Sequence, residues 1–79
     1  MRTQMEIVMG ATNELLASAK ADVEGGKPAH AVKFLKIMIQ RSRLALSRNP
    51  APEWALPLET ADAALKAYLA VVEGGMVNA

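Results

Sequence analysis

No cysteine occurs among the 79 residues. That excludes a disulfide framework and any thiolate metal site. Aromatic side chains are scarce, with one Trp, one Tyr and one Phe, whereas strands draw on aromatic and β-branched residues. No apolar run comes near the roughly 18 uninterrupted residues of a membrane-spanning helix. The short run after Arg2 is interrupted by Glu6, and no cleavage pattern comes after it, so the start of the chain does not read as a secretory signal. A soluble, cytoplasmic protein is expected. The most informative absence is local: no Asp or Glu falls between Gly25 and Pro52.

What fills that acid-free stretch is a helix, predicted over about 28–48, that is apolar and basic at once. Pro28 suits a first helical turn, where its missing N–H has no partner to lose. Pro50 ends the pattern, because the residue before a proline is pushed out of the α region. At 100° per residue, Ala31, Phe34, Leu35, Met38, Ser42, Ala45 and Leu46 share one face, which Val32 and Ile39 extend. So wide a face suits packing against two neighbours. Ile37 and Leu44 lie opposite it, flanked by Lys33, Arg41 and Arg48. Six of the nine Lys and Arg belong to this stretch: Lys27, Lys33, Lys36, Arg41, Arg43 and Arg48. The flanking segments hold the other three bases and all eight acids, so a formal net charge of +1 hides two regions of opposite sign.

Thr3 with Glu6 three residues later fits a capping box, and predicts a first helix from about 4 to 24. Its stripe is Met5, Val8, Met9, Thr12, Leu15, Leu16, Ala19 and Val23, with Ile7 and Ala11 outside. Gly10 reads as a tolerated surface glycine. Gly25 is expected to cap the helix in the left-handed conformation. After a rigid turn at Asn49-Pro50-Ala51-Pro52, a third helix is predicted over about 53–73. Trp54, Leu58, Ala61, Leu65, Tyr68 and Val72 form a heptad-like seam, widened by Ala64 and Leu69. Pro57 inside it predicts a kink or a break. Ala63, Ala67 and Ala70 line the far side, where small residues allow another helix, including one from a second copy, to come close; equally, alanine is simply the best helix former. Val-Glu-Gly-Gly occurs at 23–26 and again at 72–75, and both copies read as helix stops. Helices 2 and 3 are amphipathic and Ala-rich, yet their spacing does not fit a tetratricopeptide hairpin, and one hairpin cannot stack into a solenoid.

The expected architecture is therefore all-α: one compact up-down-up three-helix bundle spanning 1–79. A chain this short buries only roughly 60–65% of its unfolded surface. Without disulfides or a metal, self-association is the simplest supplement, so a homo-oligomer is expected.

Chemistry of the catalytic kind is not signalled. His30 is the one histidine, with no orienting partner close in sequence, and a zinc site needs three or four ligands. No metal or cofactor is expected. Gly25-Gly26-Lys27 lacks the spacing, the Ser or Thr and the preceding strand of a phosphate loop. A helix start with Lys27 and His30, joined by Arg43, still offers a weak anion site. The charge asymmetry has two readings: the basic helix is neutralised by the acids of its own neighbours, or it meets something acidic outside. The composition favours a non-enzymatic interaction protein (a regulator, inhibitor or adaptor) contacting an acidic protein surface through Lys33, Lys36, Ile37, Arg41, Leu44 and Arg48, an apolar centre with a cationic rim. The alternatives are a DNA- or RNA-binding regulator using Arg41, Arg43 and Arg48 on phosphates, and a binder of a small anionic ligand such as a nucleotide at a subunit interface. A pI near 8.1 falls short of the strongly basic balance usual in nucleic-acid binders. Membrane-surface binding by the basic helix is disfavoured because its apolar face is needed for the core.

Overall fold

Thr3 opens the first helix from an extended backbone (φ −72°, ψ 163°), its Oγ1 accepting from the Glu6 N–H at 3.2 Å. This satisfies one of the backbone donors that every helix start leaves free. The computed structural model describes residues 2–48 and 51–77; Asn49-Pro50 of the expected turn lies outside the described residues. Among those described, three α-helices form: α1 (Gln4–Glu24), α2 (Pro28–Arg48) and α3 (Pro52–Val77). Each packs on the other two. At 26 residues, α3 is about 39 Å long and accounts for most of the 42 Å long axis.

The α1–α2 reversal is a Schellman motif. Gly26 N–H donates to Val23 O (3.1 Å) and Lys27 N–H to Asp22 O (2.8 Å), which is the paired pattern that closes a helix C-terminus. The left-handed residue is Gly26, with φ +80°, and not Gly25, which stays at φ −81°. The cap residue itself keeps a near-helical φ; the chain reverses one position later.

The second Val-Glu-Gly-Gly does not stop its helix. α3 runs on through Gly74 and Gly75 to Val77, past the predicted end at 73. The tetrapeptides are identical, so their C-terminal neighbours decide. Two residues beyond the first copy stands Pro28, which bars Lys27 from the α region and forces the chain out. Beyond the second come Met76 and Val77, which impose no such restriction.

Nor does Pro57 break α3, which passes through it as one helix. Pro57 sits only five residues from the helix start, so the donor it lacks would have served the carbonyl of Glu53. Glu53 is exposed, and water can hydrate that oxygen. The first turn tightens as well, with Trp54 N–H donating to Ala51 O at 3.0 Å, three residues back as in a 3₁₀ turn. Pro57 is itself buried.

The core tracks the predicted stripes. Ala19, Ala31, Leu35, Ile39, Leu65 and Val72 form one buried cluster, with Leu35 and Leu65 its largest fully buried side chains. Leu15, Leu16, Val23, Phe34, Met38 and Tyr68 pack around it. Among the described residues, Thr12 is the buried polar one, and its Oγ1 donates to Val8 O at 2.7 Å, so the hydroxyl is not left unpaired in apolar surroundings. Ile37 and Leu44 stay outside, 40% and 48% exposed. No helix among the described residues is long and apolar enough to cross a membrane.

Candidate functional site

Because its two edges pack against α1 and α3, α2 shows solvent its outer face. By helical register, Lys33, Leu44, Ile37, Arg48 and Arg41 fall within about 80° of arc on that face. All five are exposed. Lys36 and Arg43 lie about 60–80° further round, towards α3. They line an open groove of ≈ 600 Å³ between α2 and α3 with Ile39, Gln40, Lys66, Leu69, Ala70 and Glu73. Five of the six expected contact residues thus share a surface, and Lys36 belongs to the neighbouring groove.

The cations of the outer face are unneutralised. Among the described residues, Lys33, Lys36, Arg41 and Arg48 have no carboxylate within 4.0 Å, and neither does Lys27. Arg43 is the one Lys or Arg of the acid-free stretch, among the described residues, to approach an acid, with Nε 3.9 Å from Asp62 Oδ1. Neutralisation of the basic helix by its own bundle is not what the structure shows.

Arg41 also borders a second, mostly apolar groove of ≈ 300 Å³ where α1 and α2 part. Its walls are Ile7, Val8, Ala11 and Leu15 of α1 with Met38 and Ser42 of α2, and Leu58, Ala61 and Leu65 of α3 reach it from behind. Ile7 is 50% exposed. The sequence places it outside the α1 stripe and signals nothing more; that it borders the same groove as Arg41 depends on how the helices splay.

The expected anion site is not assembled. His30 Nδ1 lies 2.6 Å from Asp22 Oδ2, because the three-residue turn sets the first turn of α2 beside the last turn of α1. A carboxylate at that spot repels an anion. Arg43 is thirteen residues from His30 on the same helix, about 20 Å along it, on the side facing Asp62. Lys27 is exposed in the turn, so the three do not converge.

Asp62 is the residue that sequence reasoning leaves among the solvated acids. Its side chain is 18% exposed, and it gathers Lys66 Nζ at 2.6 Å, Ser42 Oγ at 3.3 Å and, more loosely, Arg43. Ser42 Oγ also contacts Ile39 O at 2.9 Å. The i,i+4 spacing of Asp62 and Lys66 is visible in the sequence; the α2 partners are not. No group of three or more His, Asp or Glu among the described residues is placed to hold a metal ion.

Compared with known proteins, the chain matches no family model, no curated protein and no solved structure. The functional reading therefore rests on this surface alone.

Proposed function

We propose that the protein is a small non-enzymatic interaction module, of the regulator, inhibitor or adaptor kind, that docks an acidic amphipathic segment of another protein along α2. The single observation that carries the reading is the pairing of exposed apolar and unneutralised basic side chains on one face: Ile37 and Leu44 between Lys33, Arg41 and Arg48. An apolar residue half in water gains from being covered, at about 25 cal/mol per Å². Cations at the rim select a partner with carboxylates and speed its approach. The α1–α2 groove beside Arg41 extends this face with Ile7 and Ala11, giving a partner's apolar residues a place to insert.

The unneutralised cations also fit phosphate binding, the second reading. It is weaker, because Arg43 lies on the opposite edge of α2 from Arg41 and Arg48, and because the centre of the face is apolar. The small anionic ligand is weaker still, since its three expected residues stand apart.

The test is the double variant Ile37→Asp, Leu44→Asp. Both sites are exposed, so the helical content and urea midpoint are expected to hold. Capture of partners from the native cell is expected to fail. A folded double variant that captures the same partners would refute this docking face, and a salt-sensitive gel shift with random DNA or RNA, abolished by Arg41→Glu, would favour the phosphate reading.

A further inference from the structure

α3 carries two seams. The inner one, Trp54 through Val72, supplies Leu65, Tyr68 and Val72 to the core. The outer one runs two residues behind it, about 200° round the helix: Leu56, Thr60, Ala63, Ala67, Ala70 and Gly74, spaced 4, 3, 4, 3, 4 like a heptad repeat. No charged residue interrupts it. Its ends are marked by the two most exposed large apolar side chains of the described molecule, Leu56 at 62% and, beside Ala70, Val71 at 68%. Thr60 is the one polar member, and its Oγ1 donates to Leu56 O at 2.8 Å. The hydroxyl is thereby satisfied within its own helix, and its methyl group is left for an apolar contact.

From this face we infer that the protein self-associates through α3, as an antiparallel α3–α3 dimer of two copies. The occupant is identified by charge order. One flank of the outer seam carries Glu59, Lys66 and Glu73, seven residues apart, in the order acid, base, acid. In an antiparallel pair, like flanks face each other. A second copy centred near Ala63 sets Glu59 against Lys66 of that copy, and Lys66 against its Glu59, so that each Lys66, held by Asp62 of its own helix at 2.6 Å, gains a second carboxylate. Run parallel, this flank instead meets the opposite one, whose positions are Pro57, Ala64 and Val71 and carry no charge. The antiparallel register also places Leu56 level with Ala70 of the second copy, large against small, and Ala63 level with its own counterpart. Alanine at the crossing lets the axes approach to the close end of the usual 8–10 Å.

The face from Leu56 to Gly74 is about 27 Å long and one helix wide, which is at the small end for a specific interface. The dimer is therefore a weak one that fills as concentration rises. It leaves the outer face of α2 and the α1–α2 groove open, so each dimer presents two docking faces.

Sedimentation equilibrium from about 10 µM to about 1 mM tests it. The mass-average is expected to climb towards twice the monomer value, and Ala67→Glu, a helix-compatible change at an exposed site, is expected to hold the protein monomeric with unchanged helicity. The chain has no cysteine, so single cysteines report the register cleanly. Ala63→Cys is expected to form a disulfide-linked dimer on mild oxidation, and Leu56→Cys is not. A wild-type protein that stays monomeric to about 1 mM, or dimerises equally well as Ala67→Glu, overturns the proposal; ready linkage through Leu56→Cys overturns the antiparallel order. Partner capture by Ala67→Glu is expected to persist, which separates this result from the docking reading.

Discussion

Arg43 on α2 stands 3.9 Å from Asp62 on α3, and that contact is the loosest of three made by the same carboxylate. Lys66 lies closer, and Ser42 joins from α2. Asp62 is mostly shielded, while Arg43 and Lys66 are 64% and 44% exposed. Exposed ion pairs contribute about 0–1 kcal/mol, and a hydrogen bond adds about 1 kcal/mol. Asp62→Ala is therefore expected to lower unfolding free energy by about 1 kcal/mol, read as a lower urea midpoint with unchanged slope. Arg43→Ala should stay within about 0.5 kcal/mol of wild type. Equal losses for the two would mean that Arg43, not Asp62, organises the contact.

Two glycines should respond to alanine with opposite signs. Gly10 lies inside α1, and an added Cβ there meets nothing within 4 Å. Gly10→Ala is expected to raise stability by up to about 1 kcal/mol. Gly26 also has open space, but its φ of +80° disfavours any side chain, so Gly26→Ala is expected to cost about 1–2 kcal/mol. Thermal melts of both variants check the pair; a stabilising Gly26→Ala would contradict the Schellman turn.

Leucine truncation separates core from surface. Leu35 is fully buried, and Leu44 is 48% exposed. Leu35→Ala should cost about 2–5 kcal/mol, a large share of the about 5–15 kcal/mol of an ordinary domain. Leu44→Ala should change stability by about 0.5 kcal/mol or less while weakening partner binding. Urea unfolding and a pull-down read the two effects independently.

Charge at the α2 face is expected to act on the rate of encounter. Arg41→Glu should slow association with the acidic partner more than it speeds dissociation, and the difference from wild type should shrink as salt is raised. Stopped-flow or surface-resonance kinetics at two ionic strengths would show it. An effect confined to dissociation would place Arg41 inside the buried contact and not at its rim.

Most of the helical architecture is legible in the residues. Thr3 and Glu6, Pro28 and the apolar stripes all act within a few positions of themselves, so they can be read without coordinates. The end of α3 departs from expectation for a reason that is also local: the two Val-Glu-Gly-Gly copies have different C-terminal neighbours, and Pro28 has no counterpart beyond Gly75. The pairing of Asp22 with His30 is readable in principle, given so short a turn.

By itself, then, the chain determined that it would be helical, where α1 and α2 begin and end, and that α2 would be basic on one side and greasy on the other. Those outcomes come from backbone preferences and from the 3.6-residue period. Only the tertiary structure decided that Arg41 and Arg48 stay clear of every carboxylate of the described residues while Arg43 does not, that Ile7 meets Arg41 at a shared groove, and that α3 turns Leu56 and Val71 outward. Each of these depends on the angle and spacing at which separate helices pack, and side chains far apart in sequence meet only once the core has set that angle.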